Sequence, residues 1–96
     1  MTYRVFIEDF LEFCTIAQLL YFRNRSELVS CQDYDKFVKT FKSLKDAKAY
    51  IKEFFSDIDE EVYKECWVAF VVVIKGDEVV NIQEYNHDAE LVEELF

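Results

Sequence analysis

Residues 66–74, CWVAFVVVI, form the longest apolar run of the sequence, and they are followed by a Gly-Asp pair and a second strand-like run at residues 79–85. The first run is rich in β-branched and aromatic residues and is apolar at consecutive positions, so both of its faces are expected to be buried. A Gly-Asp pair between two such runs is typical of a two-residue hairpin turn, in which Gly76 supplies a positive φ. The sequence therefore predicts a central strand, covered by helices on at least one side, that turns at Gly76 and Asp77 into an antiparallel neighbour.

The first half of the chain predicts further elements. Residues 8–23 carry apolar side chains at steps of three and four, with acidic side chains at the start and arginine at the end, which indicates a helix. Residues 3–7 fit either a short strand or the first turn of that helix, and residues 27–31 fit a short strand. Residues 34–41, YDKFVKTF, alternate in character and are predicted to form a strand.

A second helix is predicted to begin at Ser43, because Ser43 and Asp46 have the spacing of a capping box. Its apolar stripe consists of Leu44, Ala47, Ile51, Phe54 and Phe55. Residues 57–65 fit a short helix or a turn. Asp88 is expected to cap a final helix, whose apolar face would consist of Leu91, Val92, Leu95 and Phe96.

Together these elements predict an α+β fold, with a three- to four-stranded, mainly antiparallel sheet packed against about three helices. The chain has 96 residues, of which 52% are hydrophobic and 18% aromatic. This is enough apolar material for one core, because each large aromatic side chain can bury about 150–250 Å². No linker or repeat divides the sequence, so we expect a single compact domain over residues 1–96.

The cysteines and the lengths of the apolar runs indicate the cellular compartment. The three cysteines are widely spaced and form no CxxC pair, which indicates free thiols. The first residues include acids where a signal peptide has bases, and the longest apolar run, residues 66–74, is far shorter than the ~20 residues of a membrane span. We therefore expect a cytoplasmic protein without a membrane partner.

The residue patterns of the common catalytic sites are missing from the sequence. His87 is the only histidine and lies in an Asn-His-Asp stretch typical of a surface loop, and no glycine-rich phosphate loop or nucleophile motif occurs. Asp57, Asp59 and Glu61 have the first spacings of a calcium loop, but Val62 occupies the position that needs glycine. We expect no enzymatic activity, no cofactor and no metal site.

Charge is distributed unevenly along the chain. Residues 1–52 carry nine basic and seven acidic side chains, residues 53–96 carry two basic and thirteen acidic ones, and the net charge is −9. Direct binding to nucleic acid is disfavoured, because that affinity comes from Lys and Arg that neutralise phosphates. The acidic half forms either an ordinary solvated surface or a field that imitates a nucleic-acid backbone and binds a basic protein surface. The residues assigned to this field are Asp57, Asp59, Glu60, Glu61, Asp88, Glu90, Glu93 and Glu94.

A secondary basic stripe is predicted on the second helix, where Lys45, Lys48 and Lys52 recur on one side. Like charges at this spacing cost about 0.2–0.5 kcal/mol per pair, so the stripe is poorly placed for local stability. The lysines favour helix formation and solubility, or they face the chain's own acidic half, or they contact an acidic patch of a partner.

In size and charge the chain resembles small acidic phage proteins that block host nucleases, glycosylases or CRISPR complexes, although it shares no motif with a family. The leading hypothesis is a non-enzymatic inhibitor of anti-CRISPR or antirestriction type, which would occupy a nucleic-acid-binding site of a host protein, in the host cytoplasm, by charge mimicry. The alternative is a structural or regulatory subunit that forms a homodimer or larger homo-oligomer. Its contact would be a strand edge or exposed aromatic side chains such as Tyr21, Phe22 and Phe96.

Overall fold

The computed structural model describes residues 1–9, 25–30, 32–33, 37–58 and 66–94. These residues form one five-stranded antiparallel sheet and two helices. The strands are β1 (Thr2–Asp9), β2 (Val38–Phe41), β3 (Trp67–Lys75), β4 (Glu78–Tyr85) and β5 (Leu91–Glu94), and the helices are α1 (Arg25–Ser30) and α2 (Leu44–Ser56). The strands lie in the order β2-β1-β3-β4-β5.

The apolar run of β3 lies at the centre of the sheet, as predicted. β3 pairs with β1 on one side, where Val71 lies opposite Val5, and with β4 on the other, where Val71 lies opposite Gln83. The hairpin between β3 and β4 is confirmed, because Lys75 pairs with Glu78 across a two-residue turn in which Gly76 has a φ of 62°. Only glycine adopts that φ without a steric cost.

Both faces of the sheet carry a buried apolar cluster. Alternate side chains of a strand point to opposite faces, so Val71 and Val72, each 0% exposed, belong to different clusters. Helix α2 covers the face of Val71, which we call the α2 face. Leu28 of α1 belongs to the cluster on the other face, which we call the α1 face. The double coverage explains why β3 is apolar at consecutive positions.

Helix α2 forms where its capping box predicts it. Ser43 has an extended backbone, and its hydroxyl oxygen accepts a hydrogen bond from the backbone N–H of Asp46 at 3.1 Å. The buried residues of α2 follow the predicted stripe and are Ala47, Ile51, Phe54 and Phe55. The helix ends at Ser56, and the N–H of Asp57 closes the last turn on the carbonyl oxygen of Phe54.

Helix α1 is attached to the sheet by Arg4 of β1. The Arg4 guanidinium donates from Nη1 to the carbonyl oxygens of Leu28 at 2.9 Å and Val29 at 2.6 Å, and from Nε to Thr40 Oγ1 at 3.0 Å. A positive charge on the last carbonyls of a helix also complements its dipole. One side chain therefore connects α1, β1 and β2.

Trp67 begins β3 at one end of the α2 face. Its ring is stacked on Phe37 at 5.6 Å with an interplanar angle of 6°, and it meets Phe54 edge-on at 5.5 Å. Trp67 itself is only half-buried. The three rings join α2 to the residue that precedes β2.

The predicted fold, a three- to four-stranded sheet packed against about three helices, is wrong. The sheet has five strands, and the described part of the chain holds two helices, of which only α2 is long. Residues 2–9 are a full strand because β1 pairs with neighbours on both sides. Residues 91–94 are a strand, where a final helix capped by Asp88 was predicted, because they pair with β4. Residues 25–30 are helical, where a strand was predicted at 27–31.

Some predictions fall outside the described residues. These are most of the helix predicted over residues 8–23, of which positions 8 and 9 belong to β1, and most of the short element predicted over 57–65. The single-domain interpretation of residues 1–96 stays a prediction. No helix within the described ranges is long and apolar enough to span a bilayer.

Candidate functional site

The turn between β4 and β5 positions the acidic residues near the C-terminus. Asn86 organises it: its Oδ1 accepts from the backbone N–H of Asp88 at 3.0 Å and of Glu90 at 2.9 Å, and its own N–H donates to the carbonyl oxygen of Glu90 at 3.0 Å. Ala89 takes a positive φ of 59° and donates its N–H to the Asn86 carbonyl at 3.0 Å. Asparagine suits this position because its short side chain bonds to backbone groups two residues on.

Four carboxylates lie along this turn and the strand that follows it. All four residues are exposed to solvent, and we call them the acidic edge: Asp88, Glu90, Glu93 and Glu94. Asp88 and Glu90 belong to the turn, whereas Glu93 and Glu94 occupy the last two positions of β5. Because successive strand residues face opposite ways, Glu93 points to the α1 face and Glu94 to the α2 face.

The acidic edge is not neutralised by the lysines that the structure describes. Within that part of the chain, no lysine nitrogen lies within 4.0 Å of a carboxylate oxygen. The one contact of this kind on the edge joins His87 Nε2 to Asp88 Oδ2 at 3.5 Å, and both side chains are well exposed. The negative charge of Glu90, Glu93 and Glu94 therefore faces solvent.

A fifth carboxylate, Glu84 of β4, lies behind Glu93. The two residues are cross-strand partners on the α1 face. Partial burial, followed by the negative charge of Glu93, raises the pKa of the Glu84 carboxyl above its ordinary value. The pair concentrates negative charge where the edge meets the sheet.

On the α2 face, Glu94 lies beside polar side chains of β4. Its Oε1 accepts from Asn81 Nδ2 and from Gln83 Nε2, each at 3.4 Å. Tyr85 is 2% exposed, and its hydroxyl donates to Gln83 Oε1 at 2.7 Å. Burial, and then the charge of Glu94, raises the pKa of Tyr85. These bonds orient Glu94 without neutralising it.

The predicted basic stripe lies on α2, and one of its lysines, Lys48, lies near Tyr85. Lys48 Nζ lies 5.5 Å from the centre of the Tyr85 ring, and Lys45 and Lys52 are exposed. Lys48 therefore brings positive charge to Tyr85, the neighbour of Gln83, although it forms no ion pair with the described carboxylates. Lys48 and Glu94 thus lie on the α2 face, on either side of the Tyr85 and Gln83 pair, whereas Glu93 projects to the other face.

The remaining predicted acidic residues are placed only in part. Asp57 is exposed at the end of α2, two residues after Phe55, whose ring lies 6.4 Å from that of His87. Asp57 therefore lies at the same end of the molecule as Asp88. Asp59, Glu60 and Glu61 lie outside the described residues.

Sequence reasoning missed three residues of this region. Glu84 was not assigned to the acidic field, although its position beside Glu93 follows once β5 is known to be a strand. Leu91 and Val92 were expected to be covered as part of a helix, but they are 50% and 55% exposed. Their apolar side chains add a hydrophobic component to the acidic edge.

The described residues contain no group of three or more His, Cys, Asp or Glu side chains arranged to hold a metal ion. Cys66 lies just before β3 and is half-buried. No protein-family model, no curated protein and no solved structure matches this chain.

Proposed function

We propose that this protein is a non-enzymatic inhibitor that binds another protein through the acidic edge. Its partner is a nucleic-acid-handling protein, whose basic binding site the edge occupies in place of a phosphate backbone. The observation that carries the proposal is the placement of four exposed carboxylates, unpaired with any described lysine, on one turn and one strand.

Electrostatics favour this kind of partner. The net charge of −9 opposes direct contact with nucleic acid, and it attracts basic proteins over distances longer than a hydrogen bond. Glu93 and Glu94 occupy successive positions of β5 and project to opposite faces of the sheet, so the edge offers negative charge to basic side chains on either side of it.

The biological setting we propose is conflict between a phage and its host. An anti-CRISPR or antirestriction protein must act quickly in the host cytoplasm, and electrostatic steering gives fast association. Size and charge support this setting.

The test is a comparison of two variants with equal charge. The acidic-edge variant carries Asp88→Asn, Glu90→Gln, Glu93→Gln and Glu94→Gln. The control variant removes the same number of charges elsewhere on the exposed surface, through Asp46→Asn, Glu53→Gln, Asp77→Asn and Glu78→Gln. Asp77 and Glu78 lie at the opposite end of β4 from the acidic edge. The control therefore separates the effect of losing charge at the edge from the effect of losing the same amount of net charge.

Each protein is immobilised and exposed to a host extract, and the captured proteins are challenged with duplex DNA and with RNA. We expect wild type and the control variant to retain a basic nucleic-acid-handling protein that nucleic acid displaces, and the acidic-edge variant to lose it. The proposal would be contradicted if the acidic-edge variant retained the same partner. It would also be contradicted if neither DNA nor RNA displaced the partner from wild type.

A second candidate function is a subunit that works through homo-oligomerisation. Its support is the exposure of Leu91 and Val92 on β5, a strand at the end of the sheet. An apolar dimer resists salt, so sedimentation at low and high ionic strength separates it from a charge-based complex. Of the aromatic side chains predicted for this contact, Tyr21, Phe22 and Phe96 all lie outside the described residues.

A further inference from the structure

The two ends of the sheet differ in how their outer backbone groups are bonded. At the β2 end, the backbone N–H of Thr40 donates to Asp33 Oδ2 at 3.1 Å, and the Thr40 hydroxyl donates to Asp33 Oδ1 at 2.6 Å. A carboxylate on an outward N–H occupies a group that another strand would need. The β2 edge is therefore partly blocked.

The β5 end has no such cover among the described residues. β5 pairs with β4 on one side, no described strand pairs with its other side, and all four of its residues are exposed. Unpaired N–H and C=O groups at the edge of a sheet are a template for another strand. Leu91 and Val92 add exposed apolar surface beside that template.

We propose that the outer edge of β5 binds an extended segment of the partner protein, rich in lysine or arginine, by adding it to the sheet as a sixth strand. Backbone hydrogen bonds supply affinity in this mode, and alternating side chains supply specificity. The inference rests on the proposed function, since it names the part of the partner that the acidic edge receives.

Charge complementarity selects a basic segment. Glu93 and Glu94 project to opposite faces of the sheet, so an added strand meets a carboxylate on each of its own faces. Opposite charges on neighbouring strands attract, whereas like charges directly opposite are destabilising. A second copy of β5 would bring two further glutamates to the same place, next to Glu84, and so fits the edge less well than a basic strand.

The experiment uses full-length protein, as wild type and as the Glu93→Gln, Glu94→Gln double variant, and two synthetic peptides. Both peptides carry pairs of adjacent lysines separated by pairs of valines, so that lysine projects to each face of the added strand. In one of them the alternate backbone nitrogens along one edge are methylated, which removes hydrogen-bond donors without changing the charge. Affinity is measured by calorimetry at low and high ionic strength, and amide hydrogen exchange of residues 91–94 is followed by NMR. Sedimentation of the protein alone is measured in parallel.

We expect the unmodified peptide to bind and to slow exchange at every second backbone amide of β5. Loss of two or more hydrogen bonds should weaken binding of the methylated peptide by about tenfold or more. Equal affinity of the two peptides, absence of binding, or a salt-resistant dimer of the protein alone would each overturn strand addition. Equal affinity with intact salt sensitivity would leave the charge-based function standing. If the Glu93→Gln, Glu94→Gln double variant binds the unmodified peptide as tightly as wild type does, charge explains neither the strand addition nor the proposed function.

Discussion

Glu84 of β4 and Glu93 of β5 lie directly opposite each other on the same face of the sheet. Two like charges in this arrangement destabilise a strand pair. Partial burial of Glu84, and then the charge of Glu93, raises the pKa of the Glu84 carboxyl. The arrangement lowers local stability and concentrates negative charge at the exposed end of the sheet, which is consistent with a binding role for the acidic edge.

Removing one of these charges should stabilise the protein. We expect Glu93→Gln to raise the free energy of unfolding by about 0.2–1 kcal/mol, because the repulsion across the two strands is lost. Urea denaturation of the variant and wild type measures the change. Glu78→Gln, at the far end of β4, serves as the control and should have a smaller effect. A destabilised Glu93→Gln protein would contradict the account.

Stability should also depend on pH through Glu84. Because the pKa of Glu84 is raised in the folded state, its protonated form favours folding. Its contribution is fully present below the ordinary glutamate pKa of about 4.5 and is lost as pH rises through the raised folded value. The unfolding free energy of wild type relative to Glu84→Gln should therefore increase as the solution is acidified from neutral pH. If this difference does not change with pH, or decreases on acidification, then burial and Glu93 do not raise the pKa of Glu84 in the folded protein.

Arg4 should be required for the attachment of α1. We expect Arg4→Ala to lower the free energy of unfolding by about 1–3 kcal/mol, because it removes the guanidinium hydrogen bonds to the carbonyl oxygens of Leu28 and Val29. Arg4→Lys should recover only part of the loss, since an ammonium lacks the planar fork of a guanidinium. Urea denaturation gives the magnitude, and faster amide exchange in α1 gives the location. If Arg4→Lys recovers all of the lost stability, the positive charge alone holds α1 and the planar guanidinium is not required.

Trp67 should contribute less than a fully buried tryptophan, whose loss costs about 3–5 kcal/mol. It is half-buried, but its ring is stacked on Phe37 and meets Phe54 edge-on. We expect Trp67→Ala to cost about 2–3 kcal/mol in a denaturant melt, and Trp67→Phe to cost less because it retains an aromatic contact. A loss near zero would place the ring outside the core.

The parts of the fold that local chemistry determines could be predicted. Helix α2 follows from Ser43 and Asp46, whose capping bond is entirely local, and from apolar residues at helical spacing. The hairpin follows from Gly76, since a two-residue turn needs a positive φ. The burial of β3 on both faces follows from its unbroken apolar run.

The parts of the fold that depend on strand pairing could not be predicted. Leu91 and Val92, followed by apolar residues at the end of the chain, fit a helix as well as a strand, and the outcome is decided by the Asn86 turn and by pairing with β4. In the same way, residues 2–9 have an ambiguous pattern until β2 and β3 are placed on either side of them. The pairings of β1 are non-local, and the pairing of β5 depends on the geometry of the Asn86 turn, so residue spacing alone reveals neither of them.

The candidate site was predictable in composition but not in shape. The unequal charge of the two halves of the chain already pointed to Asp88, Glu90, Glu93 and Glu94. Their gathering along one turn and one strand depends on β5, which was predicted as a helix. Glu84 was missed for the same reason, because its partner Glu93 is defined only by the register of that strand.

If the acidic edge holds the captured partner, the complex should weaken as the salt concentration rises. The dissociation constants of wild type, the acidic-edge variant and the control variant are measured as ionic strength rises from low values to well above physiological, where the Debye length falls below about 8 Å. We predict a steep loss of affinity for wild type and for the control variant, and a weak, nearly salt-independent affinity for the acidic-edge variant. Identical salt dependence in all three proteins would contradict the claim that these four carboxylates hold the partner.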